Sequence, residues 1–126
     1  MIDITETELK EVLKQFKDLV EENRYTISSG ENREKNDDFI SNNFLTRKIK
    51  KMLLELTTKD CIGVENHYRD NKKIVYKFIK EYNISTKENN NLKAYIKFMI
   101  CLVRCQEHVI VISFHEAIED EKYLFK

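Results

Sequence analysis

Proline and tryptophan are absent from this 126-residue chain, and glycine occurs only at Gly30 and Gly63. Two isolated glycines cannot build the glycine-rich loop with which many proteins hold phosphate groups. No apolar run approaches the roughly 18 residues needed to cross a bilayer. The first residues also lack the basic start and apolar stretch of a signal peptide. We therefore expect a cytoplasmic protein without a membrane partner.

Cysteine is scarce as well, with Cys61, Cys101 and Cys105 as the three thiols. Three residues separate the last two, which is not the spacing of a CxxC redox motif, and no further Cys or His element completes a zinc site. The thiols are expected to fill apolar positions. The carboxylates between Glu116 and Glu121 are interpreted as a solvated acidic tail. We expect neither a metal nor a cofactor.

The composition, 41% hydrophobic and 35% charged, favours a folded chain, and the length favours one domain spanning residues 1–126. The formal net charge is zero, yet the charges are unevenly distributed. Residues 1–46 contain 6 basic and 11 acidic side chains, whereas residues 69–104 contain 9 basic and 3 acidic ones. Such a basic block would attract phosphates locally. Alternatively, its lysines only solvate exposed strands.

The first half of the chain has the pattern of helices. Thr5-x-x-Glu8 matches a capping box, and apolar residues then recur at steps of three and four, which predicts a helix over 6–22. A short strand is predicted over 24–29 and a polar helix over 31–43. Thr46 is predicted to cap a third helix. Thr57-x-x-Asp60 repeats the capping pattern at the turn that leads out of it.

The apolar period changes from 3.6 to 2 in the second half. Strands are predicted over 74–80, 92–103 and 108–115, with a loop at 83–91 and a turn near residues 104–107. Helices followed by consecutive strands predict an α+β fold in which the N-terminal helices pack on a small antiparallel sheet.

The last two strands form a hairpin whose faces follow from alternation. In the strand predicted over 92–103, the even-numbered positions are apolar: Ala94, Ile96, Phe98, Ile100 and Leu102. In the second, Ile110, Ile112 and Phe114 are expected to share that core face. A turn centred on Cys105 then places Tyr95 opposite His115 and Lys97 opposite Ser113, all on the other face together with Lys93.

This mixture of side chains suits metal-free RNA cleavage, in which a 2′-OH attacks the adjacent phosphate. An imidazole can act as acid or base near neutral pH. A lysine can stabilise the charge that develops on the phosphate, and a tyrosine can donate a hydrogen bond or stack on a base. The alternative is an ordinary polar sheet face. His67 and His108 are expected to be surface residues.

Several segments, in order, resemble the MqsR-like toxins of bacterial type II toxin–antitoxin systems. The segment from Phe16 to Ile40, including Arg33, is similar to the first helix, short strand and second helix of that family. The remaining matches are Leu56-Thr-Thr-Lys-Asp60, Val75-Tyr-Lys-Phe-Ile-Lys80, Tyr95-Ile-Lys97 and Ile112-Ser-Phe-His-Glu-Ala117. Two positions differ from the family pattern, since Ile79 replaces a glycine and Tyr76 replaces a tryptophan.

The resemblance implies a RelE-like fold and a metal-independent endoribonuclease that acts on mRNA and is inhibited by a cognate antitoxin. Tyr95 and His115 would then form the acid–base pair, and Lys97 and Lys80 would hold the phosphate. Further RNA contacts are expected from Lys77, Lys93, Ser113 and Tyr76.

Two alternatives to the toxin hypothesis stay open on the sequence alone. The same scaffold could serve as a non-catalytic RNA-binding or protein-binding module. In addition, the 74–80 strand could be an exposed sheet edge that pairs with a partner chain.

Overall fold

Three α-helices and five strands make up the computed structural model, which describes residues 2–70, 72–83 and 91–126. The helices are α1 Glu6–Glu21, α2 Glu34–Asn42 and α3 Ile49–Leu54. The strands are β1 Tyr25–Ile27, β2 Cys61–Asn66, β3 Ile74–Asn83, β4 Asn91–Val103 and β5 Gln106–Glu116. The predicted α+β class is confirmed. Within the described ranges, no helix is long and apolar enough to span a membrane.

The five strands form one sheet in the order β1-β5-β4-β3-β2. Strand β1 runs parallel to β5, whereas the other neighbours are antiparallel. The sheet is therefore mixed, and the prediction of a purely antiparallel sheet was wrong. The alternative in which the 74–80 strand is an exposed sheet edge does not hold either, because β3 lies between β2 and β4.

Strand β2 occupies that edge and was not predicted from the sequence. Its first four residues, Cys61 to Val64, are all buried, so the segment shows no alternation of apolar and polar side chains. A short apolar run of this kind carries little periodic signal. The turn before it was predicted correctly, since Thr57 and Asp60 form a reciprocal capping box around a 3₁₀ turn at Thr58–Asp60.

Helix α1 covers one side of the sheet with the predicted apolar stripe. It begins at a complete capping box between Thr5 and Glu8. Its buried residues are Leu9, Leu13, Phe16, Leu19 and Val20. Helix α3, in contrast, does not use the predicted Thr46 cap. Its N-cap is Lys48, and no side-chain hydrogen bond caps it among the described residues, because the chain is still in a turn at Thr46.

Phe98 of β4 lies at the centre of the core. Its ring stacks on Phe16 of α1 with centroids 4.1 Å apart, and on Phe78 of β3 at 5.5 Å. Ala94 and Ile96 are fully buried beside it, as predicted, whereas Leu102 near the hairpin tip is 71% exposed. Truncation of such a residue to alanine costs about 3–5 kcal/mol in proteins generally, so Phe98 links helix and sheet.

The β4–β5 hairpin contains a bulge that the sequence did not predict. Its turn consists of Arg104 and Cys105, both with positive φ, and the register from there places Phe98 opposite Val111. The register then shifts by one residue, so that Lys97 lies opposite Ser113. Ile112 is therefore the extra residue of the bulge.

Because of this shift, the predicted core positions of β5 are corrected. Val109, Val111 and Phe114 belong to the core cluster, whereas Ile110 and Ile112 do not. The pairs Tyr95–His115 and Lys97–Ser113 are nevertheless those predicted. The predicted loop over 83–91 falls mainly on residues 84–90, which lie outside the described residues; its two ends, Asn83 and Asn91, pair with each other.

Strand alternation gives the sheet two different faces. The helix-covered face carries the main core cluster, whereas Val75 and Ile79 of β3 are buried too but have the parity of the opposite face. The opposite face, here called the polar face, carries Lys77 of β3, then Lys93, Tyr95 and Lys97 of β4, and Ser113 and His115 of β5.

Candidate active site

Two aromatic rings stand side by side on the polar face. Tyr95 and His115 are direct partners on β4 and β5, and their rings stack with centroids 5.3 Å apart and an angle of 13° between their planes. A phenol hydroxyl and an imidazole are thus presented together by two rigid, paired strands. Such a pair can accept one proton and donate another to a bound molecule.

The hydrogen bond of His115 indicates which ring nitrogen is basic. Its Nδ1 lies 3.0 Å from the carbonyl oxygen of Glu116. A carbonyl oxygen can only accept a hydrogen bond, so the proton of the neutral ring resides on Nδ1. Nε2 is then the nitrogen that can take a proton.

Tyr95 remains protonated over a wide pH range. Burial raises the pKa of its phenol to about 12, and the carboxylates of Glu121 and Glu65 act in the same direction. The hydroxyl is therefore a donor at neutral pH and not a base.

Charges of both signs act on the neighbouring Lys97. It lies opposite Lys77 on one side and opposite Ser113 on the other. Burial lowers the pKa of the Lys97 ammonium. Of the charges that act on it, the Glu65 carboxylate raises this pKa most, and the positive charges of Arg33 and Lys77 lower it. An anion bound here would relieve this repulsion, so the cluster is suited to a phosphate group.

Glu65 of β2 partly neutralises this cluster. Its carboxylate lies 3.2 Å from the ammonium of Lys77, and the Glu65 side chain is 45% exposed, against 18% for Lys77. Because the carboxylate is the more exposed partner, it can turn toward solvent when an anion approaches the lysines.

Two of the predicted site residues lie on the other side of the sheet. Lys80 points to the helix-covered face, where its ammonium lies 3.2 Å from the carboxylate of Asp60. Tyr76 belongs to the core cluster and stacks on Phe98 with centroids 5.4 Å apart. Even-numbered residues of β3 all face this way, so neither side chain joins Tyr95 and His115.

The C-terminal segment runs beside the polar face. The Ala117 amide donates to the carbonyl of Lys93 at 2.8 Å, and the Lys93 ammonium pairs with Asp120. Further on, the Leu124 amide donates to the carbonyl of Cys61 on β2 at 2.9 Å. The acidic segment thus passes the end of the polar face that holds Tyr95, and Lys93 is engaged by it.

The charges of Arg33 and Glu65 act on Lys97, and neither residue was assigned to the site from the sequence. Arg33 is the N-cap of α2, far from Lys97 along the chain, and Glu65 lies on the unpredicted strand β2. The strand order brings Glu65 near Lys97, and the packing of α2 brings Arg33 near it. Within the described residues, no three His, Cys, Asp or Glu side chains group closely enough to hold a metal ion.

Comparison with known proteins adds no relative: no family model matches the chain, and neither a curated protein nor a solved structure shows significant similarity to it.

Proposed function

We propose that this protein is a cytoplasmic endoribonuclease that cleaves mRNA without a metal ion, by attack of a 2′-OH on the adjacent phosphate. The observation that carries the proposal is the stacked Tyr95–His115 pair directly beside the cationic cluster of Lys97, Lys77 and Arg33. An acid–base pair next to a phosphate-binding cluster is what this reaction requires. The similarity of the segments around Tyr95 and His115 to MqsR-like toxins supports it.

In the proposed reaction, Nε2 of His115 removes the proton from the 2′-OH. The freed oxygen forms a bond to phosphorus, and the bond from phosphorus to the 5′-oxygen breaks. The Tyr95 hydroxyl donates a hydrogen bond to that leaving oxygen and supplies its proton. Lys97 and Lys77 stabilise the extra negative charge on the phosphate during the transfer. The products are a 2′,3′-cyclic phosphate and a 5′-hydroxyl.

The test is an RNA cleavage assay with the purified protein in the presence of a metal chelator. The substrates are a pool of mRNA transcripts and the same sequences as DNA, and the 3′ ends of the products are analysed for cyclic phosphate. We expect cleavage of RNA alone. His115→Ala and Tyr95→Phe should each reduce the rate at least about tenfold, as loss of an acid or base does.

His108→Ala is the matched control, because His108 lies on the same strand but bonds Thr26 at 2.7 Å. It should cleave at the wild-type rate. Full activity of both His115→Ala and Tyr95→Phe would refute the mechanism. Salt-sensitive RNA binding without cleavage would instead support the alternative, a non-catalytic RNA-binding module.

The resemblance adds a protein partner and a fold class to the proposal, namely a cognate antitoxin that neutralises the enzyme and a RelE-like arrangement of the domain. The partner is tested by expressing the protein in bacteria alone and together with any small open reading frame that is found next to its gene. Growth arrest that the second product relieves is expected. Harmless expression of the protein alone would contradict the toxin role.

A further inference from the structure

The two halves of the β4–β5 hairpin have different registers. On the side of the turn, Phe98 lies opposite Val111, and on the other side Lys97 lies opposite Ser113. Ile112 is the extra residue between them. This single residue decides which side chains of β5 reach the polar face, because a shift by one residue turns every later side chain to the opposite side.

Without the bulge, the register of Phe98 and Val111 would continue to the end of the hairpin. Lys97 would then face Ile112, and Tyr95 would face Phe114. His115 would point to the helix-covered face, away from Lys97 and Tyr95. The candidate active site therefore exists only because β5 is bulged at Ile112.

Asn36 of α2 holds the backbone at this bulge. The residue is 1% exposed. Its amide nitrogen donates to the carbonyl oxygen of Ile112 at 2.9 Å, and its amide oxygen accepts from the backbone amide of Phe114 at 2.9 Å. The two bonds bracket Ser113, so the Asn36 amide binds β5 as the peptide group of a neighbouring strand would.

The position of Asn36 explains why a side chain takes this role. Strand β1 pairs with β5 as far as Ile27 and Val111, so it ends just before the bulge. The Asn36 nitrogen also donates to the carbonyl oxygen of Ser28 at 2.9 Å, which joins the end of β1 to β5. Buried backbone groups need partners, and Asn36 supplies them where β1 no longer does.

We propose that Asn36 is a positioning residue of the candidate active site. By bonding Ile112 and Phe114, it maintains the bulge that turns Ser113 and His115 toward Lys97 and Tyr95. Its effect on catalysis rests on the proposed ribonuclease function, whereas its effect on the geometry does not. Asn36 acts through β5 and is not a group that contacts the substrate.

The geometric test uses NMR on the wild type and on Asn36→Ala. In the wild type, we expect NOE contacts between the rings of Tyr95 and His115. Asn36→Ala should weaken or abolish them while the contacts between Phe98 and Val111, on the turn side of the bulge, persist. Asn43→Ala is the matched control, since Asn43 lies at the end of the same helix and bonds the carbonyl of Phe39 at 2.9 Å.

The catalytic test is a double-mutant cycle with RNA cleavage as the readout. Asn36→Ala should lower kcat at least about tenfold with little change in KM, a loss of the size expected for a misplaced acid or base. The same substitution in a His115→Ala background should have almost no further effect, because the group that it positions is already gone. A purely structural role would reduce activity equally in both backgrounds.

Retained Tyr95–His115 contacts in Asn36→Ala would overturn the proposal, as would additive effects in the cycle. If Asn36→Ala does not fold at the assay temperature, Asn36→Leu is measured in its place, because it fills the same space without either hydrogen bond, and the same loss of contacts is expected. Should the wild type cleave no RNA, the proposed function fails, but the NMR comparison still decides whether Asn36 holds the bulge.

Discussion

Lys77 of β3 and Lys97 of β4 lie directly opposite each other on the same face of the sheet. Like charges at directly opposed positions are unfavourable, and the ion pair between Lys77 and Glu65 offsets this repulsion in part. Lys80, three residues further along β3, lies on the other face and pairs with Asp60. Because Lys80 lies on the face opposite Lys77 and Lys97, it is expected to have a different role from theirs.

Lys97→Ala should weaken RNA binding, whereas Lys80→Ala should not. Loss of one phosphate contact lowers the slope of log K against log salt concentration by about 1. Lys80→Ala should instead destabilise the fold by about 1–3 kcal/mol, because it removes the partner of a partly buried carboxylate. Binding is measured with a 2′-O-methylated random-sequence oligonucleotide, which cannot be cleaved, and stability by urea unfolding. Equal losses of RNA affinity would contradict the separation of the two faces.

The acidic C-terminal segment should reduce the affinity of the polar face for RNA. Asp120 pairs with Lys93, and the charge of Glu121 acts on Tyr95. Removing both charges with Asp120→Asn and Glu121→Gln should tighten binding of the 2′-O-methylated oligonucleotide about two- to fivefold, a small effect because the charges are exposed and screened by salt.

The control for this effect is a second double variant, Glu11→Gln with Asp18→Asn on α1, which changes the net charge by the same amount on the helix-covered side. It should bind RNA as the wild type does. If both double variants bind equally tightly, the effect is one of net charge and the acidic segment has no local role.

Alkaline pH should weaken the fold in part through Tyr95, beside Tyr82 and Tyr76, whose pKa values burial also raises. Burial raises the pKa of the Tyr95 phenol from 10.0 to about 12, so the folded state binds more protons than the unfolded state between these values. The stabilisation is complete below pH 10 and is lost as the pH rises toward 12. Tyr95→Phe should therefore flatten the decline of the free energy of unfolding over this range, measured by urea unfolding.

Tyr123→Phe serves as the control for that titration and should leave the decline as steep as in the wild type. A wild-type free energy of unfolding that stays constant between pH 10 and 12 would contradict the prediction.

The sequence predicted most of the elements because their patterns are local. The stripe of α1, the capping boxes at Thr5 and Thr57 and the alternation of β4 all depend on neighbouring residues. The strand β2 was missed because burial on both sides removes that alternation. Lys80 and Tyr76 were assigned to the site because of the family resemblance. Side chains alternate along β3, however, so both lie on the face opposite Lys77.

The Tyr95–His115 pair was predicted correctly, but from a hairpin register that differs from the one in the structure. Continuous pairing around Cys105 was expected, whereas the turn is the two-residue Arg104–Cys105 and the bulge at Ile112 restores the pairing. The bulge depends on Asn36, 76 residues away along the chain. A long-range hydrogen bond of this kind leaves no periodic pattern in the sequence.

The ends of α1 and α2 have the same backbone geometry but different residues at the critical position. After α1, Asn23 has a φ of 62°, and after α2, Phe44 has a φ of 56°. Both follow a Schellman pattern, in which the next amide bonds back to the helix: Arg24 to Leu19 at 2.8 Å and Leu45 to Ile40 at 2.9 Å. Asparagine tolerates this left-handed conformation, whereas phenylalanine is strained in it by about 1–2 kcal/mol.

Phe44→Asn should therefore stabilise the protein by about 0.5–1 kcal/mol and raise Tm by a few degrees. Little burial is lost, because Phe44 is 77% exposed. The reciprocal substitution, Asn23→Phe, should destabilise the protein by a similar amount, and thermal unfolding followed by circular dichroism measures both. A destabilised Phe44→Asn would mean that the exposed ring makes contacts worth more than the strain.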